Sequence, residues 1–93
     1  MRDDEFEWED AKAASNLIDH KVSFDTAKLA FDDTFAVEIQ DTREDYGEDR
    51  YVWIGMVQGR LLAVVYTERE TRRRIISARG AEPHEARKYH EEG

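Results

Sequence analysis

The sequence predicts an α+β fold, in which a helical hairpin packs on a four-stranded antiparallel meander sheet and a short helix follows at the C-terminus. Three observations support this prediction. Apolar residues recur at helical spacing in the first third of the chain, and after Asp32-Asp33 they alternate as in a strand. Two later apolar runs are rich in β-branched and aromatic residues, and Gln58-Gly59 lies between them, where a tight hairpin turn fits.

The N-terminal third predicts a short strand followed by two helices. Phe6-Glu7-Trp8 alternates in polarity, which predicts an additional edge strand. Asp10 and Ser23 are candidate N-caps, because their side-chain oxygens can accept from the free N–H groups of a first turn. The apolar residues of each helix are expected to share one face: Ala11, Ala14, Leu17 and Ile18 in the first helix, and Phe24, Ala27 and Phe31 in the second.

The remainder of the chain predicts four strands and a terminal helix. Phe35, Val37 and Ile39 occupy alternate positions, which predicts a strand with one buried face. The acidic segment 42–49 is expected to form a surface loop. Further strands are predicted at residues 51–57, 61–67 and 72–78, with a turn at 68–70. Pro83 is typical of the first position of a helix, here over residues 83–91.

Size and composition exclude several classes of protein. A chain of 93 residues has room for one core, so residues 1–93 are expected to form a single domain. The absence of cysteine excludes a disulfide framework and any thiolate-bound zinc. The first ten residues are too acidic for a signal peptide, and the longest apolar run, residues 61–66, is far shorter than a membrane span. We therefore expect a cytoplasmic protein with no membrane partner.

Charge is distributed unevenly along the chain. The net charge is −8, but residues 1–49 carry five basic and sixteen acidic side chains, whereas residues 50–93 carry nine and six. Five of the basic residues are arginines close together in sequence, with only Glu70 among them: Arg69, Arg72, Arg73, Arg74 and Arg79. Arginine is well suited to bidentate phosphate contacts, and local charge decides where a polyanion binds. These arginines either bind a polyanion or balance the acidic half of the chain.

The last predicted strand carries the most informative arginines. Alternation in a regular strand would put Arg74 and Arg79 on opposite faces. Either Arg79 lies beyond the strand, or only one of the two contacts a phosphate. Arg50 begins an earlier strand and would reach the same surface through antiparallel pairing. The alternative is a ladder in which the arginines pair across the sheet with acidic residues, namely Glu38, Glu68 and Glu70.

A second set of candidate residues lies on the first helix. Lys12, Asn16 and His20 are four residues apart and form one polar ridge. A lysine can bind phosphate, and a histidine can transfer protons near neutral pH. The alternative is a solvated face in which Asn16 and His20 stabilise the turn that follows the helix. His84 and His90 lack a third ligand at metal spacing, so no metal site and no cofactor are expected.

The ordered set of motifs closely resembles the BrnT family of toxins. The resemblance extends over nearly the whole chain and consists of the following segments: Phe6-Glu7-Trp8-Glu9-Asp10-Ala11-Lys12, Asn16, His20, Val22-Ser23-Phe24, Phe31-Asp32-Asp33, Arg50, Ile54-Gly55, Gly59-Arg60-Leu61-Leu62, Tyr66-Thr67-Glu68-Arg69, Arg74-Ile75-Ile76-Ser77-Ala78-Arg79, Glu85 and Tyr89.

This resemblance implies a RelE/ParE-like fold and a ribonuclease that inhibits translation as the toxin of a type II toxin–antitoxin pair. It implies a metal-independent reaction in which the 2′-hydroxyl of the RNA is the nucleophile. Its partners would be RNA and a BrnA-like ribbon-helix-helix antitoxin, with DNA contacted only through that antitoxin and a higher-order complex as a further expectation. The implied catalytic residues are His20, Lys12, Arg74 and Arg79, with Glu7 as a further base candidate, and the RNA-binding residues are Arg50, Arg69 and Arg73.

One position departs from the family pattern. Many relatives have glycine after the histidine, whereas this chain has Lys21, which is costly if the turn requires a positive φ. The acidic segment 41–49 would also repel RNA. Two other functions remain open on the same fold, namely a non-catalytic module that binds a partner protein and a ParE-like inhibitor of a DNA topoisomerase.

Overall fold

The computed structural model describes residues 1–42, 45 and 47–92. Part of the predicted acidic loop, residues 43, 44 and 46, lies outside the described residues. The elements follow in the order β1 (Phe6–Glu7), α1 (Asp10–His20), α2 (Phe24–Ala27), a 3₁₀ helix (Lys28–Asp32), β2 (Val37–Asp41), β3 (Arg50–Val57), β4 (Arg60–Arg69), β5 (Arg72–Gly80) and α3 (Pro83–Glu92).

The strands form one five-stranded mixed sheet in the order β1-β5-β4-β3-β2. Strands β2 to β5 pair with their chain neighbours in antiparallel fashion, and β1 pairs with β5 in parallel. The α+β class and the additional N-terminal edge strand are therefore confirmed. The sheet is mixed because β1 runs parallel to its neighbour β5. The chain leaves β1 through α1, which crosses back over the sheet, and no tight turn joins β1 to β5.

Apolar side chains form a core on each face of the sheet. The face that α1 and α2 cover is called the helix face, and its core is built around Phe24, Leu62, Val64, Ile75 and Ala78. The opposite face is called the α3 face, because Tyr89 of α3 packs there against a cluster that includes Val52, Ile54, Ala63 and Val65. Pro83 is the first residue of α3, as predicted.

The prediction for the apolar face of α1 is wrong, because the residues assigned to it do not pack on the sheet. Ala11, Ala14, Leu17 and Ile18 are all exposed, and Ile18 retains 69% of its accessible surface. The helix instead packs on the sheet through Ala13 and the buried Asn16. The amide of Asn16 hydrogen bonds to the backbone of β5, which orients the helix more strongly than its small apolar stripe does.

The second helix is shorter than predicted. It comprises Phe24–Ala27 and continues as the 3₁₀ helix Lys28–Asp32. Phe24, Ala27 and Ala30 are all buried at a spacing of three residues, which matches the three residues per turn of a 3₁₀ helix. Ser23 caps α2 as predicted, because its Oγ accepts from the Thr26 N–H at 3.0 Å.

The prediction that β2 begins at Phe35 is also wrong. The strand comprises Val37–Asp41, and Phe35 lies before it with 63% of its surface exposed. The preceding Asp33 explains this, since its Oδ1 accepts from the Phe35 N–H and holds the chain in a turn. No helix in the described ranges is long and apolar enough to cross a membrane.

Candidate functional site on the α3 face of the sheet

A β-bulge in β5 brings the two key arginines to one face. Val65 pairs with Ser77 and the next residue, Tyr66, pairs with Ile75, so Ile76 has no partner across the strand. The additional residue reverses the alternation of side chains beyond it. Arg74 and Arg79 therefore both lie on the α3 face, paired with Thr67 and Ala63. The expectation of opposite faces was wrong because it assumed a regular strand.

Arg74 lies between two carboxylates that differ in exposure. Its Nη1 donates to Glu7 Oε2 at 2.6 Å, and its Nη2 donates to Glu9 Oε1 at 2.9 Å. The Glu7 side chain is 17% exposed and that of Glu9 is 53% exposed. The parallel pairing of β1 with β5 sets Glu7 directly beside Arg74.

Arg79 has the same arrangement, built from the start of α3. Its Nη1 and Nη2 donate to the two oxygens of Glu85 at 2.6 and 3.1 Å, and Nη2 lies 3.5 Å from Glu82 Oε1. The Glu85 side chain is 5% exposed, whereas that of Glu82 is 53% exposed. Burial would raise the pKa of Glu85, but the hydrogen bonds from Arg79 and from the Glu82 N–H outweigh it and hold that pKa below its ordinary value.

A row of polar and charged residues crosses the α3 face at the level of Arg74. In order across the five strands it contains Asp41, Arg50, Thr67, Arg74 and Glu7, and it is called the charged row. Adjacent strands are about 4.8 Å apart, so the backbones at Arg50 and Arg74 are separated by about 10 Å. Arg50 thus reaches the same surface as Arg74, as the sequence predicted.

Arg69 lies two residues beyond the charged row on the same face. Glu48 connects it to Arg50, since the Glu48 carboxylate is 3.8 Å from Arg69 Nη2 and 3.3 Å from Arg50 Nε. Arg69 is the more exposed of the two arginines. The sequence therefore identified three arginines that share the α3 face with Arg79, namely Arg50, Arg69 and Arg74.

Arg73 lies on the helix face and is separated from these arginines. Its guanidinium carbon is 4.6 Å from the centre of the Phe31 ring and within 6 Å of the Trp53 and Tyr66 rings. Tyr66 also donates a hydrogen bond to Glu38, and burial together with this carboxylate raises the pKa of Tyr66. Arg73 thus has a packing role that its position in the sequence did not indicate.

The predicted ladder of arginines with Glu38, Glu68 and Glu70 does not describe Arg74 and Arg79. Among the described residues, their carboxylate partners come from β1, the start of α1 and the segment around the start of α3. Arg72 lies 3.9 Å from Glu70, but that contact is local to the turn between β4 and β5. The sequence did not indicate the partners of Arg74 and Arg79, because they are distant along the chain or depend on the β-bulge.

The polar ridge of α1, formed by Lys12, Asn16 and His20, borders the α3 face from the edge of the sheet. Lys12 and His20 line a shallow depression of about 340 Å³ together with Ile76, the bulge residue between the two arginines. Asn16 is buried between them and donates to the carbonyl groups of Val22 and Ala78 at 2.8 Å each. Asn16 therefore has the structural role in the turn to Val22 that the alternative interpretation gave it.

A deeper cavity of about 310 Å³ adjoins Arg79. It lies between the edge strand β2 and the first turn of α3, and its lining includes Asp41, Val52, Arg79, His84 and Glu85. No local pattern predicts a cavity there, because its walls come from segments far apart in the chain. Together with the charged row, the cavity gives the α3 face a polar, partly enclosed surface.

Asp33 is a structural residue. Its Oδ2 accepts from the Met56 N–H at 2.8 Å and from the Tyr89 hydroxyl at 2.7 Å. Burial would raise the pKa of Asp33, but these hydrogen bonds and one from Phe35 hold it below its ordinary value. Within residues 1–42, 45 and 47–92, no group of three potential ligands is arranged to hold a metal ion.

Comparison with known families identifies the class of protein to which this site belongs. Residues 8–85 match the family described as "Ribonuclease toxin, BrnT, of type II toxin-antitoxin system". This match covers most of the chain and defines a ribonuclease toxin that has an antitoxin partner. The chain belongs to the BrnT toxin family. A comparison with curated proteins gave no match.

Proposed function

We propose that this toxin is a RelE/ParE-like endoribonuclease that cleaves RNA without a metal ion and thereby inhibits translation, and that its reaction takes place on the α3 face. The observation that supports this proposal best is the shared geometry of Arg74 and Arg79. Each guanidinium is held on the same face of the sheet by one carboxylate that is largely shielded from solvent, Glu7 or Glu85, and one that is exposed, Glu9 or Glu82. Such an arrangement suits a protein that must keep two cations oriented and still accept an anion.

The exposed carboxylates can be exchanged for phosphate at small cost. An ion pair in which one partner is half exposed contributes about 0–1 kcal/mol. Phosphate accepts the same bidentate hydrogen bonds from arginine as a carboxylate does. A phosphodiester would therefore replace Glu9 at Arg74 and Glu82 at Arg79, while Glu7 and Glu85 continue to orient the two guanidinium groups.

The chemistry of the proposed reaction follows from these groups. A base takes the proton of the 2′-hydroxyl, and the 2′-oxygen attacks the adjacent phosphorus. Arg74 and Arg79 stabilise the additional negative charge on the pentacoordinate phosphorus, with Lys12 as a further cation. An acid then donates a proton to the 5′-oxygen as the bond from phosphorus to that oxygen breaks. His20 and Glu7 are the two groups we propose for proton transfer, because their types suit this role. Glu7 contacts Arg74, and His20 lines the depression beside Ile76.

The remaining arginines would contact the RNA strand on either side of the cleaved bond. Arg50 and Arg69 extend the cationic surface along the α3 face, and neutralisation of phosphates by such residues makes binding depend on salt. Arg73 would contribute indirectly, by holding β5 against the aromatic rings of the helix face. We further propose a BrnA-like ribbon-helix-helix antitoxin as the partner, which contacts DNA for the complex, and a cytoplasmic location.

The test is growth arrest by variants of the two arginines. Arg74→Gln and Arg79→Gln should each relieve the arrest caused by the wild-type toxin, since loss of one oriented cation lowers catalysis by about a hundredfold. Arg87→Gln, on the exposed surface of α3, is the matched control and should arrest growth like the wild type. The proposal is wrong if both site variants remain folded and fully toxic. Coexpression with its antitoxin should abolish the arrest by the wild type.

A further inference from the structure

A separate cavity lies at the other end of the central strands. It has a volume of about 230 Å³ and is formed where the turn after α1 meets the hairpin between β3 and β4. Val22, Val57 and Leu62 form its apolar lining, and Lys21, Gln58 and Arg60 contribute polar groups. The charged row crosses these strands at their opposite ends, so this cavity is distinct from the proposed site of cleavage.

Two residues of this cavity have an unusual backbone conformation. Lys21 has a φ of 60° and Gln58 has a φ of 51°, both in the left-handed region. Glycine is strongly preferred at the position that Lys21 occupies after a helix, because a side chain there is strained. The Lys21 N–H closes the end of α1 on Leu17 O, and Gln58-Gly59 form the β3–β4 turn with a positive φ at both positions. These two turns bring the side chains of Lys21 and Gln58 to one cavity.

The cations of this cavity are available to an external ligand. Among the residues that the structure describes, neither the Lys21 amine nor the Arg60 guanidinium forms a salt bridge, in contrast to Arg74 and Arg79. The Arg60 guanidinium lies against Gly80, where an added Cβ would be 3.2 Å from Nη2. An anion could therefore bind here without displacing a carboxylate.

The cavity is connected to the proposed cleavage site by α1. His20 borders the depression beside Ile76, and the next residue, Lys21, borders this cavity. Lys12 and Lys21 are nine residues apart on the helix, which corresponds to about 13 Å. A polymer that follows this edge of the protein would therefore meet cations at both ends of α1.

We propose that this cavity is a second RNA subsite, in which Lys21 and Arg60 hold a backbone phosphate. The inference rests on the proposed function, since it assumes that RNA is the substrate. An RNA strand carries a phosphate at every nucleotide, and this cavity offers two cations at the end of α1 that leads away from the depression lined by Lys12 and His20.

The test uses Lys21→Gly and Arg60→Gln, with Arg87→Gln as the control for loss of an exposed positive charge. Binding is measured by fluorescence anisotropy with a 2′-O-methyl RNA of about ten nucleotides, which falls within the usual size of a single-strand site. Each site variant should bind about tenfold more weakly. The slope of log affinity against log salt concentration should become shallower by the amount that about one phosphate contact contributes. Arg87→Gln should bind like the wild type.

Lys21→Gly separates recognition from folding. Because glycine favours the left-handed conformation, this variant should unfold at the same temperature as the wild type or a higher one. The wild type should bind the longer RNA more tightly than it binds a dinucleotide. Lys21→Gly should nevertheless lose most of this gain in affinity. A purely structural role for Lys21 would not produce this combination.

Three outcomes would overturn the inference. In the first, the site variants bind the longer RNA as tightly as the wild type does. In the second, they keep their affinity for RNA and lose affinity for the antitoxin, which would make the cavity a protein contact. In the third, the wild type binds no RNA at all. If the wild type binds RNA but does not cleave it, the proposed function fails and the subsite is supported or refuted by the variants alone.

Discussion

Replacing Asn16 by alanine would remove a side chain that makes three hydrogen bonds to the backbone. Its Nδ2 donates to Val22 O and Ala78 O at 2.8 Å each, and its Oδ1 accepts from the Ala78 N–H at 3.0 Å. Asn16 is 6% exposed, so these backbone groups would lose their partners in a buried environment. Each buried group left unsatisfied costs about 1–3 kcal/mol.

The expected loss of stability can be estimated from these contacts. Three unsatisfied backbone groups at about 1 kcal/mol each cost about 3 kcal/mol. Alanine offsets about 0.5 kcal/mol of this cost because it is a better helix former than asparagine. The free energy of unfolding should therefore decrease by at least about 2.5 kcal/mol. For a domain of this size the loss corresponds to a decrease in Tm of more than about 10 °C.

Urea denaturation followed by circular dichroism provides the assay. Ser15→Ala is the matched control, because Ser15 is the exposed neighbour of Asn16 on the same helix. That control should remain within about 0.5 kcal/mol of the wild type. Asn16→Asp should lose at least as much stability as Asn16→Ala, since a carboxylate would face two carbonyl oxygens. A free energy of unfolding for Asn16→Ala close to that of Ser15→Ala would refute this account of α1.

Three further predictions concern packing, pH and the exposed face of α1. Gly55→Ala should destabilise the protein by about 2–4 kcal/mol in urea denaturation, because the new Cβ would lie 2.6 Å from Ala30 O. The lowered pKa of Glu85 stabilises the folded state at neutral pH, and this contribution is lost as pH falls from the unfolded value of 4.5 through the lower folded value. Urea titrations between pH 7 and pH 3 should therefore show a smaller loss of stability for Glu85→Gln than for the wild type, and equal losses would contradict the assignment. Ile18→Lys should change the free energy of unfolding by less than about 0.5 kcal/mol, because Ile18 is 69% exposed, and a larger loss would mean that this face of α1 is packed.

Local patterns predicted much of the architecture. Alternation identified β1 and most of β2, and enrichment in β-branched and aromatic residues identified β3 and β4. Pro83 and Ser23 identified helix starts, and each of these signals depends on neighbouring residues alone. Gln58-Gly59 identified the β3–β4 turn in the same way. The orientation of α1 was missed because the amide of Asn16 bonds to β5, which follows 62 residues later in the chain. The spacing of apolar residues along α1 does not reveal this contact with a distant strand.

The candidate site could be predicted only in part for the same reason. The residue types and the arginine cluster were visible in the sequence, but the face on which each arginine lies depends on the bulge at Ile76. That bulge arises from the pairing of β4 with β5 and has no local signal. The carboxylate partners Glu7 and Glu85 also come from distant segments. Only the structure shows that each arginine has one largely shielded and one exposed carboxylate partner.

The most direct test of the central claim is the chemistry of the RNA ends produced by the purified toxin in the presence of EDTA. Attack by the 2′-hydroxyl without a metal ion predicts cleavage that EDTA does not inhibit, with a 2′,3′-cyclic phosphate on one product and a 5′-hydroxyl on the other. A 2′-deoxy substitution at the cleaved position should abolish the reaction, and Arg74→Gln should slow it by about a hundredfold. Products with a 5′-phosphate, or cleavage that persists at the 2′-deoxy position, would contradict the account.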